Sequence, residues 1–168
     1  SWNPVQKSRS YADWMYPEQE KNILWEDCKL RYPAGTVYEN LNCAYRRMEN
    51  PSRQAYSDWH GMYPYGHPVH LYTDIRLTPE REIPERLKSK SYVALKRGNG
   101  VQSVGGVWEG GELVAKARSL GPFSIQVDTI APQIRPLVNR KKQFPKGQIC
   151  FRLTDNLPTT KDQPDLLC

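Results

Sequence analysis

Between Gly121 and Pro132 the chain reads GPFSIQVDTIAP, and few folds accommodate that run. Phe123, Ile125 and Val127 alternate with Ser124, Gln126 and Asp128, the period-two pattern of a strand that buries one face. Asp128 and Thr129 then offer side chains to local backbone, and Pro132 withdraws a ladder donor before Ile134 restarts an apolar pattern. A strand stopped so abruptly and followed by another is punctuation between two β-modules.

The residues before it supply more strands. Asn22 to Tyr32 and Thr36 to Arg46 flank the turn Pro33, Ala34, Gly35, which makes either a hairpin or a crossing between sheets. Val69, Leu71, Thr73 and Ile75 alternate with His70, Tyr72, Asp74 and Arg76, and Pro79 to Pro84 ends that strand. Ser91 to Lys96, Val101 to Val107 and Leu113 to Ala117 follow, separated by Gly98-Asn99-Gly100 and Glu109-Gly110-Gly111, turn sequences that reach positive φ at low cost. The 168 residues leave room for one domain of roughly 100 residues and part of another. The pattern predicts an all-β chain: an immunoglobulin-like β-sandwich over 26–128, followed by an incomplete second β-sandwich module with a polar tail over 129–168. Residues 1–25, with Trp2, Tyr11, Trp14 and Tyr16 at no clear period, read as a linker or packing segment.

Charge and cysteines exclude several classes. Most of the net charge of +6 falls after residue 128, where Arg140, Lys141, Lys142 and Lys146 cluster. This cluster reads as a solvated turn between two strands, so nucleic acid is not an expected partner. No apolar run approaches the ~20 residues of a membrane helix. Cys28, Cys43, Cys150 and Cys168 match neither a zinc ribbon nor a Cys-x-x-Cys motif. Pairing about the Pro33 turn sets Cys28 nearer Asn40 or Leu41 than Cys43, so buried thiols are expected there rather than a disulfide.

Chemistry-bearing residues gather in YSDWHGMYPYGHPVHLY. Tyr56, Trp59, His60, Tyr63 and Tyr65, with His70 nearby, are flat amphipathic groups suited to a sugar ring or an extended peptide. The competing reading folds these aromatics back as a small core, stiffened by Pro64 and Pro68. A catalytic zinc needs three converging protein ligands. His67 and His70 point to opposite faces of an extended strand, and His60 lies in a loop, so no metal site is expected. There is no GxSxG elbow, and Glu80, Glu82 and Glu85 among Arg81, Arg86 and Lys88 read as an exposed, charge-balanced turn. No catalytic residue and no cofactor is assigned.

The series YPAGTVYENL, HPVHLYTDI, IPERLKSKSYVAL and GGVWEGGELVAKARSLGPFSIQVDTIAPQI resembles the C-terminal immunoglobulin-like β-sandwich region of Bacteroidetes lysostaphin-type (LytM-like) zinc metallopeptidases. The similarity covers residues 26–155 and is densest from Gly105 to Ile134. It implies an exported protein of the periplasm or cell envelope, with any signal peptide belonging to a longer precursor or already removed. The parent's zinc site needs a His-x-x-x-Asp motif together with a His-x-His motif, and no His-x-His occurs in this sequence. The resulting expectation is a non-catalytic accessory module that spaces or docks a peptidase on peptidoglycan or peptide. The rivals are a stand-alone carbohydrate-binding or protein-interaction module, the former requiring exposed, coplanar Trp59, Tyr63 and Tyr65, and a cryptic hydrolase. Cell-wall glycan or peptide is the expected partner, with self-association through open strands after Pro132.

Overall fold

The computed structural model describes residues 10–131, 133–137, 150–154 and 166–167. The basic cluster at Arg140, Lys141, Lys142 and Lys146 lies outside the described residues, as does Cys168.

Two antiparallel sheets face each other across one core, the all-β sandwich that the alternation predicts. Strands β1 (Ser10–Met15), β2 (Lys21–Leu24), β3 (Cys28–Tyr32), β4 (Leu41–Met48), β5 (Trp59–Tyr63) and β6 (Thr73–Leu77) precede a one-turn helix α1 (Glu85–Lys88). Strands β7 (Ser91–Arg97), β8 (Gly100–Ser103), β9 (Val107–Glu109), β10 (Glu112–Ala117) and β11 (Phe123–Val127) complete the sandwich. One sheet has the order β1-β4-β5-β11-β7-β8, the other β2-β3-β6-β10-β9. No helix among the described residues is long and apolar enough to cross a membrane.

The five-stranded sheet follows period two closely. Leu30, Ile75 and Ala115 lie opposite one another in register, with Cys28, Leu77 and Leu113 one step along, and all point into the core. The intervening positions carry Lys29, Arg31, Asp74, Arg76, Glu112 and Lys116 on the outer face, where they pair across strands. Pro33 to Gly35 proves to be a crossing: β3 and β4 belong to different sheets. The two-residue loop Gly110-Gly111 closes β9 onto β10 with both φ values positive, as a primed hairpin turn demands.

Five expectations are corrected. Residues 10–24, read as linker or packing segment, supply an edge strand to each sheet through β1 on β4 and β2 on β3. The aromatic loop contains a strand, β5, that pairs with β4 along its length, so His60 is a strand residue. The strand expected from Val69 begins at Thr73, and the one expected over Val101 to Val107 is split into β8 and β9. Finally, β11 is buried on both faces rather than one. Its pairing with β5 is confined to Phe123 opposite His60, and the segment Gln54–Ser57 runs along the rest of it. Ser124 and Gln126 tolerate burial because Asn50 donates to Ser124 Oγ at 2.8 Å and Tyr92 donates to Gln126 Oε1 at 3.1 Å.

A third sheet, β12 (Gln133–Leu137), β13 (Cys150–Thr154) and β14 (Leu166–Leu167), follows the sandwich. Ile134 on β12 is 63% exposed, and Phe151 on β13 is also exposed.

Candidate functional site

The register separates the six residues that the sequence groups together. On β5, Trp59 and His60 are consecutive and therefore face opposite ways. Trp59 stands opposite Met48 on the outer face, only 4% exposed, packed with Tyr92 and Ala94. His60 stands opposite Arg47 on the inner face and is fully buried, with Tyr45 Oη 2.9 Å from its Nδ1. Tyr56 is half-buried beneath the Arg81 guanidinium, 4.2 Å from the ring centre. His70 lies in another loop against Tyr38, whose Oη is 3.3 Å from His70 Nδ1. Only Tyr63 and Tyr65 stay together, and their rings are perpendicular (88°) with centroids 5.6 Å apart. Trp59, Tyr63 and Tyr65 therefore form no exposed, coplanar trio.

Two arrangements emerge instead. The first surrounds Arg47 at the seam between the sheets. Nε donates to Asp58 Oδ2 at 2.9 Å and Nη2 to Glu80 Oε1 at 2.8 Å, while Nη1 pairs with Asp27 Oδ2 at 2.5 Å. Asp27 comes from the β2–β3 turn, Asp58 from the approach to β5 and Glu80 from the loop after β6, so one guanidinium ties together segments of both sheets. Burial works against its charge, but the hydrogen bond to Asp58 and the charges of Asp27 and Glu80 outweigh that and raise the Arg47 pKa. Glu80 is exposed, as its turn was expected to be, and it is engaged by Arg47 and by the Asp58 amide, which donates to it at 3.0 Å. Asp27, His60 and Glu80 present donor atoms within 4.8 Å of one another, close enough to hold a cation. Arg47 already neutralises two of them, so the arrangement is first an ion-pair clamp.

The second arrangement is aromatic and lies on the outer face of the six-stranded sheet. Register places Trp14 opposite Asn42, and Tyr63 opposite Ala44, on the same face of β1, β4 and β5. Trp14 and Tyr63 are each 46% exposed. Trp14 stacks on Tyr16 at 19° with centroids 6.5 Å apart, and Arg46 lies 4.1 Å over the Tyr63 ring. Sequence reasoning missed Trp14 and Tyr16 by assigning them to a linker. The alternation of Ala12 and Trp14 against Asp13 and Met15 was the available signal, masked because the outward set contains the tryptophan and the inward set an aspartate.

Cys28 and Cys43 are free, buried thiols, as expected, although β3 and β4 lie in different sheets and do not pair about the Pro33 turn. Burial pushes the Cys28 pKa well up, and that of Cys43 up to about 11. Neither is expected to be alkylated by iodoacetamide at pH 8 in the folded protein, and both are expected to react in denaturant. Site-resolved mass spectrometry checks this, and native labelling at either position would contradict it.

These features define a β-sandwich domain with an interior ion-pair clamp and an exposed aromatic face. A family model for the Zu5-like domain matches residues 12–128, from within β1 to just past β11, and the chain belongs to that family. No curated protein matches the chain.

Proposed function

We propose that this Zu5-like sandwich is a non-catalytic docking module of a cell-envelope protein related to the lysostaphin-type peptidases, and that it holds its parent on peptidoglycan. The observation that carries the reading is the exposed aromatic face: Trp14, Tyr16 and Tyr63 lie on one side of a sheet, with Arg46 beside them. Stacked, amphipathic rings next to a guanidinium suit the apolar faces and hydroxyl edges of a glycan strand. The resemblance of the strand series to the region downstream of peptidase catalytic domains supports the envelope setting. The ion pairing of Asp27, Asp58 and Glu80 to Arg47 supports an architectural role for those carboxylates.

Co-sedimentation with purified peptidoglycan tests the proposal. The protein is expected to pellet with the wall material and release no soluble fragments, and Trp14→Ala with Tyr63→Ala is expected to weaken retention by about tenfold. Retention unchanged in the double variant, or zinc-dependent release of fragments, would discard the reading.

A further inference from the structure

From the geometry of a second concavity, between the β7–β8 hairpin of one sheet and β10 of the other, we infer a binding site for a compact ligand bearing an oxyanion, a carboxylate or a phosphate on a small body. The cavity is about 240 Å³ and is lined by Tyr72, Leu95, Arg97, Gln102, Lys116 and Arg118, with no acidic side chain in its wall. Arg97 ends β7, and Lys116 and Arg118 lie at the end of β10, so three cations from both sheets border one small space.

How cations are treated elsewhere on the same molecule makes this distinctive. The larger concavity of about 520 Å³ on the outer face of the five-stranded sheet is also lined by cations, Lys29, Arg31 and Arg76. There each has its carboxylate: Lys29 pairs with Glu112, Arg31 with Asp74, and Arg76 with Glu109. The hydrogen bond from Lys29 holds the Glu112 carboxyl below its ordinary value, so that face is electrically satisfied. At the smaller cavity, Lys116 reaches Asp74 at 3.1 Å, but neither Arg97 nor Arg118 has a carboxylate partner among the described residues. Arg118 makes only a long contact, 3.5 Å from Nη2 to the Val69 carbonyl. Two guanidinium forks at the wall of a concave site present donors in the geometry that carboxylate and phosphate oxygens accept. Leu95 gives the ligand an apolar surface, and Gln102 and the exposed Tyr72 add neutral hydrogen-bonding groups. This site is separate from the aromatic face.

Titrations of the whole chain with N-acetyl-alanyl-alanine, its C-terminal amide and inorganic phosphate, followed by amide and guanidinium resonances, test the inference. Saturable shifts centred on Arg97 and Arg118 are expected with at least one of the two oxyanions. Affinity should fall about tenfold in Arg97→Gln and in Arg118→Gln, and fall further as salt rises. Binding by the peptide and not by its amide assigns the oxyanion to a carboxylate, whereas binding by phosphate alone assigns it to a phosphate. Both arginines are exposed, so an unchanged spectrum away from the cavity verifies folding of the variants. Saturation by neither oxyanion, or affinity untouched by both substitutions, overturns the inference. Peptidoglycan retention in the same variants keeps the two readings apart, because the aromatic face is intact in them.

Discussion

Replacing Arg47 with alanine is expected to cost about 3–5 kcal/mol of folding stability, since removing one partner of a buried ion pair leaves its counter-charges uncompensated. Here three carboxylates are left at once, Asp27, Asp58 and Glu80, and Asp58 is only 9% exposed. Lysine is expected to recover only part of the loss. Arg47 addresses each carboxylate through a different nitrogen, and a single ammonium cannot reproduce that fork. Urea denaturation of both variants measures the loss, and a cost below about 1 kcal/mol for Arg47→Ala would mean that water or other partners take over the three carboxylates.

The second large effect is at the centre of the six-stranded sheet. Phe123 is fully buried and stands between His60 on β5 and Leu95 on β7, where its ring joins the main core. Phe123→Ala is expected to lose about 3–5 kcal/mol through lost burial and an unfilled cavity. Phe123→Leu, which keeps most of the volume, should lose much less. Equilibrium unfolding measures both, and a loss below about 1 kcal/mol for the alanine variant would mean that the sheet closes over the vacated space.

How far the sequence reveals this architecture depends on whether a strand has one dry face. In β3, β6 and β10, inward Leu30, Ile75 and Leu113 alternate with outward charges, and the period is plain. Strand β1 hides because its outward Trp14 is apolar and its inward Asp13 is charged, the latter held by an ion pair with Lys21. Strand β5 hides for a different reason. It is buried on both sides and carries Gly61, whose missing Cβ lets Leu120 O and Pro122 Cα approach to 2.9 Å of where that atom would be. A run of Trp, His, Gly and Met in such a place has no alternation to read.

Sites suffer more than strands. Tyr63 was legible as an exposed candidate because it ends β5 beside a proline, whereas Tyr65, just beyond it, is half-buried. Trp59 and His60 were drawn inside by partners distant in sequence, Tyr92 and Ala94 for one and Tyr45 for the other. Glu80 does stay exposed, but among its neighbours Arg81, Arg86 and Lys88 nothing in the sequence points to Arg47, on a distant strand, as its partner. Such pairings depend on register between distant segments, which local pattern does not specify.

The place of β11 carries a consequence for how the chain is made. It is the last strand of the sandwich in sequence, yet it lies between β5 and β7 in the middle of the larger sheet. During synthesis, β1, β4 and β5 on one side and the β7–β8 hairpin on the other have no common neighbour until residues 123–127 leave the ribosome. Each group meanwhile presents an unpaired edge to its surroundings. The sheet can close only once that final segment threads between them, so the nascent domain depends on its latest-made residues and is open to mispairing until they emerge.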